Sequence, residues 1–189
     1  MSLAAVPPVV VIAIGNPSRG DDAIGPLLYG RLCEWLENQG LAGEFNLYED
    51  FQLQIEHALD LKGRRLALFI DAGDNTPGPY IFSPVAAAEG IMHTSHALPP
   101  ESVLQVYRQV EGGEPPPSFV LCVRGEQFAL GAEPGAGALA HVEAAFALLC
   151  ELCREPQVSA WTARAETGGN MAAVSARMAA STASPSPVP

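Results

Sequence analysis

Residues Val9–Gly25 read VVVIAIGNPSRGDDAIG. The stretch opens with Val9–Ile14, an unbroken apolar run too short to cross a membrane and suited to a strand buried on both faces. It breaks at Gly15-Asn16-Pro17, turns through Ser18-Arg19-Gly20 and presents two adjacent carboxylates, Asp21 and Asp22. Helical spacing begins directly afterwards, with Ile24, Leu27, Leu28, Leu32, Trp35 and Leu36, and Gly40 is a stop signal. Strand, polar loop and helix N-terminus form the unit on which an α/β protein carries its chemistry.

Working outward, Gly43–Phe51 alternates enough for a second strand, and Gln54–Leu61 is a short helical segment. Leu66–Ile70 is the other strong strand signal and runs straight into Asp71-Ala72-Gly73-Asp74. The turn Asn75–Gly78 leads at once to a further β-like run, Pro79–Val85. No crossover helix fits in that link, so the fourth strand should lie antiparallel to the third or leave its edge. Ala86–Pro100 is irregular and carries His93, Ser95 and His96. A helix follows from Pro99-Pro100-Glu101, then a strand at Ser118–Val123 and a helix over Ala138–Arg154. This order predicts a three-layer α/β/α domain over residues 1–156, built on a mostly parallel, twisted five-stranded sheet. Residues 157–189, rich in Ala, Ser and Pro, predict a disordered tail, with Met171–Ala180 able to form a helix against a partner.

A formal net charge of −11 makes nucleic acid and anionic membrane surfaces poor partners. The N-terminus lacks a basic leader, and no run reads as a membrane span, so the expected location is the cytoplasm. Cys33, Cys122, Cys150 and Cys153 sit in apolar runs and do not form a disulfide framework. Cys150-x-x-Cys153 falls late in a helix, away from the N-terminal position that activates a thiol, and has no second pair to complete a zinc site. His57 and His141 lie in helical segments without a ligand-type cluster and read as packed or surface residues.

Asp22 follows the first strand, Asp71 the third, and His96 precedes a helix. In a doubly wound sheet strands one and three are neighbours, and the crevice at their carboxyl ends is the topological switch point. Two carboxylates and an imidazole converging there would suit a borderline divalent metal such as nickel or zinc, with coordination positions left open. Each residue also has a plainer role: Asp21 or Asp22 as a helix cap, Asp71 as a turn acceptor, His96 as a solvated loop residue. Asp21 is the candidate general base, weighed against capping. Gly15, Gly20 and Gly25 do not make G-x-G-x-x-G, and no Gly-Lys-Ser/Thr follows, so both nucleotide fingerprints are missing.

Gly15-Asn16-Pro17 with Arg19-Gly20-Asp21-Asp22-Ala23-Ile24-Gly25, then Asp71-Ala72-Gly73-Asp74 with Pro77-Gly78, then Ser95-His96, resemble in order the motifs of the hydrogenase maturation endopeptidases. Gln52-Leu53 matches a variant within that family, whereas Arg124-Gly125-Glu126 departs from its usual pattern. The resemblance covers Val9–Arg154. It implies an endopeptidase that removes the C-terminal extension of a nickel–iron hydrogenase large-subunit precursor. It further implies that Asp22, Asp71 and His96 contact nickel already inserted in that precursor, so the nickel arrives with the substrate and no permanent cofactor is held. A non-catalytic nickel-dependent chaperone for the same precursor would use the same three ligands. A flavodoxin-like small-molecule binder is the third reading, disfavoured by the missing phosphate loop.

Overall fold

The computed structural model describes residues 6–89 and 98–168. Five strands, β1 (Val9–Ile14), β2 (Phe45–Asp50), β3 (Leu66–Gly73), β4 (Tyr80–Val85) and β5 (Ser118–Arg124), form one sheet in the order β2-β1-β3-β5-β4. Pairings β1–β2, β1–β3 and β3–β5 are parallel, and β4 pairs antiparallel with β5. The mostly parallel five-stranded sheet is therefore as the sequence predicts. The fourth strand is antiparallel and at an edge, but it pairs with β5, which slots between it and β3. The chain moves from β1 to β2 on one side and to β3 on the other, so the direction of winding reverses between β1 and β3.

Helices α1 (Ile24–Asn38) and α4 (Ala136–Arg154) cover one face, and α2 (His57–Asp60) and α3 (Pro100–Glu111) the other. β1 is buried along its whole length because alternate residues feed two cores. Val9, Val11 and Ala13 join the α1/α4 core, while Val10, Ile12 and Ile14 join the α2/α3 core. Ile24, Leu28, Leu32 and Leu36 recur every fourth residue and are all buried, which seats α1 on the sheet. In α3, Pro100 occupies the first turn, and Gly112 closes the helix in the left-handed region with its N–H on the Arg108 carbonyl. α4 reaches the length and apolarity of a membrane span, beyond what the sequence reading allowed. One side of it, Ala138, Val142, Ala145, Leu148, Leu149 and Leu152, is packed into the core, while Leu139 is exposed.

Residues 158–168 are helical (α5). Trp161 is completely buried there, edge-on to Phe82 and Phe119 at 6.2 and 5.4 Å between ring centroids, and Ala165 is buried beside it. Its Nε1–H donates to the Leu152 carbonyl at 3.0 Å. This corrects the expected boundary at residue 157: the folded unit continues through residue 168, the last described residue. Trp161 thus anchors α5 by filling the space between β4, β5 and the end of α4 with its polar atom satisfied.

Candidate functional site at the switch point

The loop after β1 depends on close backbone approaches. Gly15 has φ +149°, and a Cβ there would overlap the Asp22 carbonyl oxygen. A Cβ on Gly25 would overlap the carbonyl of Ile14. These two glycines let the start of α1 fold back against the end of β1, which fixes where Asp21 and Asp22 point.

The two carboxylates then part company. Asp21 is buried, with Oδ2 accepting from the amides of Glu126 (2.7 Å) and Gln127 (3.0 Å) and Oδ1 accepting from the amide of Gly135 (2.8 Å). Burial would raise its carboxyl, but those three amide bonds and the nearby His141 outweigh it and hold the group below the ordinary aspartate value. The same two loops are stitched by Gly20 N–H to the Ala132 carbonyl, Asp21 N–H to the Gln127 carbonyl, Gly131 N–H to the Ser18 carbonyl and the Arg19 guanidinium to the Phe128 carbonyl. Asp21 is thus an anchor between loops. Three of its acceptor sites are committed and its basicity is lowered, which favours anchoring over the general-base role considered from the sequence.

Removing the anchor should be costly. Asp21→Ala leaves three amides without their acceptor, at about 1–3 kcal/mol for each donor that stays dry. Partial access of water makes a total of about 3 kcal/mol the expected loss of unfolding free energy, measured by urea denaturation at pH 7. Because the folded-state value is depressed, this contribution is present at neutral pH and disappears as the pH falls below 3.8 and on through the lower folded value. A loss below about 0.5 kcal/mol would mean that the loops do not rely on this carboxylate.

Asp22 faces the crevice, and its Oδ2 accepts from the Asn16 amide at 3.1 Å. Asp71, at the carboxyl end of the neighbouring strand, is reached by solvent and accepts the Ala72 amide on Oδ1 at 2.8 Å. Desolvation by the surrounding protein raises its carboxyl to about 6, the Ala72 amide opposes this, and the charge of Asp22 raises it further. The carboxylate in the turn after β1 and the one on β3 thus feel one another at the switch point. That is an arrangement with a folding cost unless a cation or proton is shared. Asp22 lies near enough for its charge to act on Asp71, whereas His96, with His93 and Ser95, falls at residues 90–97, outside the described residues. Among the described residues no three His, Cys, Asp or Glu side chains close on one point.

Sequence reading missed two features of this edge. Gly125, Gly131 and Gly135 punctuate the loop that receives Asp21, and their spacing was the available signal. Cys122, in register with Asp71, lies 3.2 Å from Thr76 Oγ1, so the turn after β3 is tied to β5. Burial pushes its thiol up, against the Thr76 bond, with Asp71 adding to the rise. His57 is buried, and its Nδ1 accepts from the Gln54 amide at 3.0 Å. His141 Nδ1 donates to the Arg124 carbonyl at 3.0 Å, so both histidines are packed residues as expected. Cys150 and Cys153 are buried, and desolvation, with Cys150 adding, lifts the Cys153 thiol to about 12, far from a redox pair.

No family model and no curated protein matches the chain. Solved structures do share its fold. The [NiFe] hydrogenase maturation protease HycI from Thermococcus kodakarensis superposes with a TM-score of 0.60 at 22% identity, over 78% of this chain and 92% of that one. The hydrogenase maturating endopeptidase HybD from E. coli gives a TM-score of 0.57 at 18% identity, over 78% of this chain and 93% of its own. An endopeptidase from Escherichia coli solved in solution gives 0.58 at 20% identity, over 79% and 94%.

Proposed function

We propose that this protein is an endopeptidase of hydrogenase maturation, removing the C-terminal extension of a nickel–iron hydrogenase large-subunit precursor after nickel insertion. The carrying observation is the pair Asp22 and Asp71, brought to the switch point on a fold shared with HycI and HybD. The motif order Gly15–Gly25, Asp71–Gly78 and Ser95-His96 supports the same reading. Hard oxygen donors and an imidazole suit a borderline divalent ion. A carboxylate pair that repels itself gains from the arrival of a cation.

In this reading the nickel belongs to the substrate. Asp22 and Asp71 would hold it, with His96 as the third contact. A divalent ion at that point polarises a neighbouring carbonyl, and the protein's own part is positioning. Asp21 pins the loop that carries Asp22, and the Thr76–Cys122 contact pins the turn after Asp71. A precursor without nickel would present nothing for the carboxylates to bind, which makes metal loading a condition of cleavage. The inserted metal, the cytoplasmic location and the precursor as partner all belong to this proposal.

Purified protein incubated with nickel-loaded precursor should shorten the precursor from its C-terminus, as read by intact mass, and should leave metal-free precursor whole. His96→Ala should abolish the reaction, while His93→Ala should keep most of it. A stable complex without any mass loss would replace the protease by the nickel-dependent chaperone.

A further inference from the structure

β2 is an edge strand with an open side. The Gly15 N–H donates to the Asp50 carbonyl at 3.0 Å, and Ile14 is in register with Asp50. Alternation along a parallel strand therefore turns the N–H and C=O groups of Asn46, Tyr48 and Asp50 towards β1, and those of Leu47 and Glu49 outward. No described residue pairs with that outward row. Exposed edges of this kind are usually blunted by proline, a bulge or lysine. Phe45–Asp50 contains neither proline nor lysine, and its register with β1 runs without a bulge.

A groove lies along this edge. Tyr29 of α1 faces Leu47 and Glu49 across it, and Gly15 and Asp50 line it at the carboxyl end of the sheet, where Phe51 stands exposed. The Cys33 thiol and burial push the Tyr29 phenol upward, and the charge of Glu49 adds a smaller rise. The groove thus combines a row of main-chain groups unpaired among the described residues, the side chains of Tyr29 and Leu47, and the carboxylate of Glu49. It ends at Gly15, one residue before Asn16, whose amide holds Asp22.

We propose that the open edge of β2 takes up an extended segment of the protein substrate as a sixth strand, with a lysine or arginine of that segment set against Glu49. Main-chain bonds to Leu47 and Glu49 give affinity without regard to sequence, and the side chains over Tyr29 and Glu49 give selection. A second copy of this chain is the disfavoured occupant. Edge-to-edge pairing would bring together two molecules that each carry a net charge of −11. The identity of the substrate rests on the endopeptidase reading, whereas the strand-addition site rests on β2 itself.

The test is amide hydrogen exchange on the full chain, alone and with nickel-loaded large-subunit precursor, run beside the cleavage assay. Exchange at the amides of Leu47 and Glu49 should slow at least about fivefold with precursor. Glu49→Lys, on an exposed side chain, should raise KM about tenfold with kcat unchanged, and Glu49→Gln should fall between. Cleavage with unchanged exchange at β2 overturns the inference and leaves the endopeptidase standing. Slowed exchange without cleavage keeps the strand-addition site and removes the endopeptidase. Neither effect removes both. Slowed exchange at these amides in the isolated protein, together with a dimer by light scattering, assigns the edge to a second copy and overturns the proposal.

Discussion

Trp161→Ala is expected to lower the melting temperature by about 10 °C. The side chain is fully buried between Phe82, Phe119 and the end of α4, so its removal deletes a large apolar group and leaves a cavity that its rigid neighbours cannot fill. Such a substitution costs about 3–5 kcal/mol, and each kcal/mol moves the midpoint by about 2–4 °C in a chain of this size. Trp161→Phe separates the two contributions. It keeps a ring in the slot and loses the bond from Nε1–H to the Leu152 carbonyl, worth about 1 kcal/mol. Val158, partly exposed one turn earlier, provides the comparison: Val158→Ala should stay within about 0.5 kcal/mol of the parent. If Trp161→Ala melts with the parent, α5 is not part of the folded unit. The consequence for handling the protein is direct, because a chain cut after Pro156 loses this anchor and exposes Phe82 and Phe119 on an edge strand and its neighbour.

The contrast between α5 and β1 explains what could be read from sequence. Val9–Ile14 announces itself because every residue is apolar and both faces need covering, a property of six adjacent positions. Asp22 and Asp71 follow from the same logic, since Asp71 lies near the carboxyl end of a strand that reads clearly, Asp22 stands in the loop after another, and the two strands are parallel neighbours. α5 has no such pattern. Its buried side is one tryptophan and small alanines, and the groups that receive it come from β4, β5 and α4, far away in the chain. The position of β5 was hidden for a related reason: its pairing with β3 links residues about fifty apart, and a short turn to β4 suggested the nearer partner. Asp21 looked like a base or a cap because its partners at Glu126, Gln127 and Gly135 are amides, which carry no signature in a sequence.

Asp71→Asn is expected to make the protein more stable and far less active. Desolvation first, opposed by the Ala72 amide and reinforced by Asp22, holds the folded-state carboxyl at about 6 against an ordinary 3.8. Above pH 6 the folded chain therefore carries a carboxylate that the unfolded chain bears more easily, and stability is reduced there. Below about pH 3.8 the group is protonated in both states and the penalty is gone. The whole shift would correspond to about 3 kcal/mol; because solvent reaches the side chain, screening leaves about 1 kcal/mol. The amide keeps an oxygen for the Ala72 N–H and removes the charge, so its melting temperature should exceed the parent's by about 2–4 °C at pH 7.5 and match it at pH 4. Cleavage of nickel-loaded precursor should fall at least about 100-fold, since even residues behind a metal ligand cost 10–100-fold when changed. Asp22→Asn should lose cleavage to the same extent and should also lower the Asp71 carboxyl, by removing the charge that helps to raise it. A stable, active Asp71→Asn protein would reduce Asp71 to a turn acceptor. A destabilised one at pH 7.5 would show that the two carboxylates do not repel each other in the folded chain.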